Sequence, residues 1–126
     1  MKLNHDCVRH LLLAIEKHTT VSKHLNHDEI LKLSELEPYD DEIIIYTAQK
    51  LNEAGFINGT FDFFMDDMPH IAISSLTYEG HNFLDTIRDH KVWRKTKETA
   101  SKLSSVSITV MSEIGVSIAR GILGLS

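Results

Sequence analysis

Eight histidines are the residues of this sequence whose chemistry is most versatile, and they raise the question of a metal site. The tightest group is His24-x-x-His27, which is followed directly by Asp28 and Glu29. A zinc site needs three or four converging ligands, and neither paired cysteines nor a His-Glu-x-x-His pattern accompanies this group. His27 and Asp28 also stand at a predicted helix start, so the sequence predicts no metal ion.

Residues suited to catalysis are equally scattered. His81 follows Gly80 in a predicted helix, where an imidazole commonly packs against a neighbouring element and hydrogen-bonds the backbone. The serines gather between residues 101 and 117, without the strand–turn–helix pattern of a nucleophile elbow. Glycines 55, 59 and 80 lack the spacing of a phosphate-binding loop. We therefore expect no catalytic residue, no cofactor and no enzymatic activity.

Length and composition favour a single intracellular domain. The chain has 126 residues, and its lone cysteine, Cys7, excludes an internal disulfide framework. Cys7 lies beside the apolar stripe of the first predicted helix, as a small buried thiol would. No secretory signal is recognisable, and the apolar residues 103–125 contain Glu113 and Arg120, which disfavour a membrane span. The expected location is the cytoplasm.

Capping residues and periodicity predict three helices in the first half of the chain. Asn4 caps the first, Asn26 and Glu29 form a capping box at the second, and Asp40 caps the third. The second helix is predicted to end near Glu35, and an extended segment is the alternative. Gly55 is placed to end the third helix in a left-handed conformation.

Two strands and further helices follow. Residues 56–64 are aromatic-rich and strand-like, with a bulge or turn at Asn58-Gly59, and a second strand ends near Leu76 beyond a loop at residues 66–69. Thr77 caps a fourth helix, in which Gly80 indicates close packing against the hairpin or the first helix. This helix runs on or kinks near Asp89 into residues 92–103, and a last helix covers residues 106–123.

The predicted fold class is mostly α (α+β): a winged-helix-like core of three to four helices with a two-stranded antiparallel wing. We place this domain at residues 1–90, followed by a C-terminal helical extension at residues 91–126. The last helix is apolar on two sides, so it either packs on the core or forms a dimer interface. The candidate dimer residues are Val106, Val110, Met111, Ile114, Ile118 and Ile122.

Four segments resemble a known family over nearly the whole chain. They are MKLNHDCVRH at the N-terminus, LNEAGFI at residues 51–57, LTYEGHNFLDTI at residues 76–87 and VWRKTK at residues 92–97. The family comprises small proteins of low-GC Gram-positive bacteria and their prophages and is classed as a domain of unknown function. The resemblance implies a winged-helix-like fold and a mobile-element setting, and it implies no catalytic residues.

The charge distribution argues against the usual DNA-binding mode of a winged helix. Eleven acids stand against Lys32 and Lys50 between residues 26 and 67, and Lys50 is the one basic residue of the third helix. Affinity for DNA comes largely from cations that neutralise phosphates, so this helix is poorly suited to a duplex. Its exposed residues instead predict a patch for a protein partner, formed by Asp41, Glu42, Ile45, Tyr46, Gln49 and Glu53.

The basic residues concentrate later in the chain and support an alternative. Arg88, Lys91, Arg94, Lys95 and Lys102 are the candidate nucleic-acid contacts. The leading hypothesis is thus a non-enzymatic interaction protein of phage or prophage type, which inhibits a host nucleic-acid-binding or defence protein by direct contact. The alternative is a dimeric DNA-binding transcriptional regulator that uses the basic segment at residues 88–102.

Overall fold

The computed structural model describes residues 1–64 and 68–125, and these residues are mostly helical with one two-stranded antiparallel sheet. The elements are α1 (His5–His18), α2 (His27–Leu31), a 3-10 turn (Ser34–Leu36), α3 (Asp41–Glu53), β1 (Ile57–Asp62), β2 (His70–Leu76), α4 (Tyr78–Ile87), α5 (His90–Ala100) and α6 (Ile108–Ile122). The predicted α+β class with a hairpin wing is confirmed.

The chain divides into two compact units, Met1–His81 and the residues from Asn82 onward. The division falls inside α4, whereas the sequence placed its domain boundary after residue 90. The first unit contains fourteen Asp and Glu and six Lys and Arg. The second unit contains four Asp and Glu and seven Lys and Arg. The two units are therefore oppositely charged.

Side-chain caps begin the first three helices where the sequence predicted them. The side chain of Asn4 accepts a hydrogen bond from the Cys7 N–H at 2.9 Å, and Asp40 accepts one from the Ile43 N–H at 2.9 Å. Asn26 and Glu29 form the reciprocal capping box, with both bonds present. Each bond satisfies a backbone donor that the first helical turn leaves without a partner.

The segment after the second cap differs from both predictions for it. Helix α2 ends at Leu31, four residues before the predicted end, and the chain continues into the 3-10 turn. Leu25, just before α2, forms an isolated antiparallel bridge with Ile73, in which each backbone N–H bonds to the other residue's carbonyl at 2.9 Å. The first unit thus combines a short helix with a single bridging residue on the hairpin.

The core of the first unit is aliphatic. The predicted stripe of α1 is buried, as are the side chains that α2, the 3-10 turn, α3 and both strands direct inward. The largest fully buried residues are Leu11, Leu12, Ile15, Ile30, Leu36, Ile44, Leu51, Ile57, Ile71 and Ile73. Burial of each such side chain contributes about 1.5–3 kcal/mol, so this core holds the helices and the hairpin together.

The hairpin pairs Ile57 with Leu76 at its base and Asp62 with His70 at its far end. Its register shifts between Asn58 and Gly59, which confirms the predicted bulge. The predicted strand at residues 56–64 is longer than β1. Part of the predicted loop at residues 66–69 lies outside the described residues, because these exclude 65–67.

Close packing at Gly80 joins α4 to the base of the hairpin, as the sequence predicted. A Cβ atom at Gly80 would collide with the carbonyl oxygen of Phe56, the residue before β1. The Thr77 hydroxyl accepts the Gly80 N–H at 3.0 Å, and the Thr77 N–H donates to the same Phe56 carbonyl at 3.0 Å. Thr77 therefore caps α4 and fixes its start against residue 56.

In the second unit, α4 ends at Ile87 and does not run on. The Asp89 carboxylate accepts hydrogen bonds from the Lys91 and Val92 N–H groups and so starts α5 as a separate helix. Helix α5 buries Val92, Trp93 and Thr96, and α6 buries Met111 and Gly115. None of the helices in the described part of the chain is long and apolar enough to cross a membrane.

Candidate interaction surfaces

The outward side of α3 is acidic and half apolar. Asp41, Glu42 and Glu53 are exposed, while Tyr46 and Gln49 are half-buried. The Tyr46 hydroxyl donates a long hydrogen bond, 3.4 Å, to the Met1 carbonyl oxygen. Five of the six residues predicted for a protein partner are thus accessible on one helix.

The sixth residue, Ile45, corrects the prediction. Ile45 is only 3% exposed, so it belongs to the core and is no part of a contact patch. Helix α3 packs against both α1 and β1. Two neighbours give it a wider buried face than a single stripe, and that face takes in both Ile44 and Ile45. The aromatic character of the patch therefore rests on Tyr46.

Lys50, the single cation on α3, is already engaged by its own helix. Its ammonium lies 3.0 Å from the Glu53 carboxylate and 5.4 Å from the centre of the Tyr46 ring. The contact with Glu53 raises the pKa of Lys50, since the hydrogen bond and charge of that carboxylate favour the protonated amine. Asp41 and Glu42 form no salt bridge with any described residue. Both carboxylates are exposed to solvent.

Exposed large apolar residues lie beyond the end of the hairpin, at positions that the sequence did not single out. Phe63 is 71% exposed, Phe64 is 56% exposed and Met68 is 44% exposed. The last paired residues of the hairpin are Asp62 and His70, so Phe63 and Phe64 lie past the ladder. The available signal was the alternation of Phe61 and Phe63, which continues one face of β1 beyond its hydrogen bonds.

Four histidines of the first unit make structural contacts. His10 Nδ1 lies 2.7 Å from the Tyr39 hydroxyl, and His18 Nε2 lies 2.7 Å from the Glu35 carboxylate. His27 accepts a hydrogen bond from the Ile71 N–H, and its ring stacks on His70 at 4.3 Å between centroids. Among the described residues no group of three or more His, Cys, Asp or Glu could hold a metal ion.

A groove of about 480 Å³ lies beside His81. Its lining includes Glu16, His24, Ser74 and Ser75, and the His81 Nδ1 stands 3.9 Å from a Glu16 carboxylate oxygen. His81 is exposed, in contrast to the predicted packing of its ring against a neighbouring element. At this distance the two side chains form no hydrogen bond with each other, and an exposed contact of this kind contributes at most about 1 kcal/mol.

The basic residues from position 88 onward lie mainly on the solvent side of α5. Lys91, Arg94, Lys95 and Lys102 are exposed, and within the described residues none of them takes part in a salt bridge. Arg88 instead pairs with Asp85 at 3.0 Å, and Lys97 lies 5.7 Å from the centre of the Trp93 ring. Trp93 is buried and packs within the second unit, so it offers no stacking platform.

Helix α6 turns one side to the second unit and the other to solvent. Met111 is 2% exposed, and Ile114 and Ile118 are half-buried beside it. These three candidate dimer residues therefore pack inside their own unit, which agrees with the packing alternative for this helix and leaves them little surface for a dimer. Val106 is half-buried before the helix, whereas Val110 and Ile122 are exposed.

Cys7 is buried as predicted. Burial raises the pKa of its thiol, against a smaller opposing effect of the hydrogen bond with Thr47. A protonated, enclosed thiol is a poor nucleophile, so Cys7 serves packing.

Comparison with known proteins identifies the family. A protein of Haemophilus influenzae described as uncharacterized is 30% identical over 119 residues, which cover 94% of this chain and 95% of that protein. No solved structure matches the chain significantly. Residues 2–107 match the family described as hypothetical protein (DUF2513), and α6 begins directly after the matched residues. The chain belongs to the DUF2513 family.

Proposed function

We propose that this protein is a non-enzymatic interaction module that binds a basic protein partner through the outward side of α3. Asp41, Glu42, Tyr46, Gln49 and Glu53 form the contact surface, which we call the α3 patch. The observation that carries the proposal is that Asp41 and Glu42 are exposed and form no salt bridge with any described residue, while Lys50 is held by Glu53.

The α3 patch occupies the position of a DNA-reading helix in the winged-helix order of three helices, hairpin and helix. A duplex at this surface would meet uncompensated negative charge and gain nothing from counterion release. A partner that presents lysines and arginines, such as a nucleic-acid-binding or defence protein of a host cell, would meet complementary charge. A phage or prophage setting fits this mode of inhibition by mimicry of DNA.

The non-enzymatic part of the proposal is supported by the uses of the chemically versatile side chains. His10, His18 and His27 link separate elements of the first unit, and Cys7 lies in its core. These contacts account for the three histidines and the cysteine without a catalytic role.

A photo-crosslinking experiment tests the α3 patch directly. A benzophenone amino acid at Gln49 should capture a protein of basic isoelectric point in the host cell, and Glu42→Lys should abolish the capture. The matched control is Glu79→Lys, because Glu42 and Glu79 are exposed acids in the first turns of α3 and α4. Equal loss in both variants, or capture that neither variant affects, would contradict a specific acidic contact.

The second candidate function is DNA binding through α5. It is favoured by Lys91, Arg94 and Lys95, which are exposed and form no salt bridge with any described residue. Removal of each cation that neutralises a phosphate should lower the dependence of log affinity on log salt by about 0.9. Fluorescence anisotropy with a labelled duplex, read across a salt series, separates the two functions. Tight binding that falls steeply with salt and disappears in Lys91→Ala/Arg94→Ala/Lys95→Ala would replace the protein-contact proposal.

A further inference from the structure

Helix α6 presents an apolar outward side that nothing in the described part of the second unit covers. Val110 is 38% exposed, Val116 is 43% exposed and Leu123 is 72% exposed. A shallow groove of about 470 Å³ runs along this side, and the small residues Ser117 and Gly121 lie in its lining. An exposed apolar stripe with a groove is typical of a surface on which another helix packs.

The residues of this side are spaced to form one stripe. Val110, Glu113, Ser117 and Arg120 follow each other at intervals of three or four residues, which place them on one face of a helix. Val116 and Leu123 border the same face. Glu113 and Arg120 are the only charged residues between Ile108 and Ile122, and they stand two helical turns apart.

The stripe is complementary to the same stripe of a second copy that runs in the opposite direction. In the register considered, two copies of α6 run antiparallel about a two-fold axis between Val116 and Ser117, which brings the two copies of Ser117 together. The same register places Glu113 opposite Arg120 of the second copy, at both ends of the axis. A parallel pairing would instead set Glu113 against Glu113 and Arg120 against Arg120, and like charges in direct opposition disfavour that arrangement.

We propose that α6 forms the interface of a homodimer in which two copies of α6 pair antiparallel through this stripe. An isologous contact of this kind needs a self-complementary surface, and the reciprocal pairing of Glu113 with Arg120 supplies one. The interface excludes Met111, Ile114 and Ile118, which face their own unit. One helix per copy gives a small contact area, so the dimer dissociates reversibly.

Cysteine cross-linking of the full chain tests the register. In the antiparallel pairing the two copies of residue 117 lie almost on the axis, within reach of a disulfide. The two copies of residue 109, near the start of the same face, stand about 22 Å apart along the helices. The native Cys7 is 0% exposed and stays out of the reaction. Ser117→Cys should therefore give about tenfold more disulfide dimer than Thr109→Cys.

Charge reversal tests the pairing independently. Sedimentation equilibrium should show that Glu113→Arg and Arg120→Glu each weaken self-association at least about tenfold, because each creates two like-charge contacts. The double variant restores both contacts and should dimerise like the unchanged protein. An equimolar mixture of the two single variants should also form a heterodimer, since one copy then carries two arginines and the other two glutamates.

The proposal is overturned by any of three results. They are an unchanged protein that sediments as a monomer at every concentration, equal cross-linking at positions 109 and 117, and a double variant that associates as weakly as the single ones. Circular dichroism of each variant shows that the helical content is retained. The substituted residues 109, 113, 117 and 120 are all exposed.

Discussion

The backbone N–H of Ile71 donates a hydrogen bond to Nδ1 of His27, 3.2 Å away and 44 residues earlier in the chain. Ile71 is buried and is the second residue of β2, and His27 is the first residue of α2. The contact fixes the tautomer of His27, because an acceptor at Nδ1 requires the proton to be on Nε2. A side chain at the start of a short helix thereby holds the far half of the hairpin.

Replacing His27 should loosen the hairpin measurably. His27→Ala leaves the Ile71 N–H without its acceptor, and we expect the free energy of unfolding to fall by about 1–3 kcal/mol. His27→Asn should lose less, because the amide oxygen can accept from a position similar to Nδ1. Urea unfolding followed by circular dichroism measures the change. The control is His24→Ala, which removes an exposed imidazole nearby and should leave stability within about 0.5 kcal/mol.

Gly80 and Gly121 should respond in opposite directions to the same substitution. Alanine favours a helix over glycine by about 1 kcal/mol, and Gly121 has open space around the position of a Cβ atom. Gly121→Ala should therefore raise the melting temperature. Gly80→Ala should lower the free energy of unfolding by about 3 kcal/mol, since the methyl group would strike the Phe56 carbonyl. Thermal unfolding of both variants measures these changes. A Gly80→Ala variant as stable as the unchanged protein would contradict the close packing at the base of the hairpin.

Helix starts could be predicted from the sequence because their signals are local. The capping box of Asn26 and Glu29 involves residues three apart, and its two hydrogen bonds need no information from the rest of the chain. The same holds for Asn4, Asp40 and the positive φ of Gly55 after α3. These signals also gave the order of helices and hairpin.

The exposure of particular side chains could not be predicted, because it depends on distant neighbours. Ile43, Ile44 and Ile45 are consecutive, and helical periodicity alone does not decide which of them face inward. The packing of α3 between α1 and β1 buries Ile44 and Ile45 and leaves Ile43 half-buried. The exposure of Phe63 and Phe64 likewise follows from the end of the ladder at Asp62, which no local signal marks. The sequence could therefore indicate the helix that carries the candidate site, but not which residues of that helix are exposed.

Tyr39 should ionise later than an ordinary tyrosine. Burial, with smaller effects from Cys7 and Asp6, raises its pKa from 10.0 to about 12. Because the folded-state pKa is raised, the stabilising contribution of the protonated phenol is complete below pH 10 and is lost as the pH rises towards about 12. An ultraviolet absorbance titration should contain a late step that Tyr39→Phe removes. Tyr78→Phe, at an exposed position, should retain that step. If Tyr78→Phe also lost the late step, Tyr39 would not be its source.

Glu35 should make stability depend on pH at the acidic end. Its partial burial would raise the pKa, but the hydrogen bond from its own backbone N–H and the contact with His18 outweigh burial and hold the pKa below 4.5. A carboxyl with a lowered folded-state pKa stabilises the fold above its unfolded pKa, and this contribution is lost as the pH falls through the folded value. Glu35→Gln should therefore flatten the loss of stability below pH 4.5, measured as the urea midpoint across a pH series. The side chain is partly exposed, so the effect should be at most about 1 kcal/mol.

His18→Ala should reproduce part of the flattening, whereas Glu37→Gln, two residues away and exposed, should leave the slope unchanged. An equal slope in all four proteins would mean that the bond between the end of α1 and the 3-10 turn contributes nothing to stability.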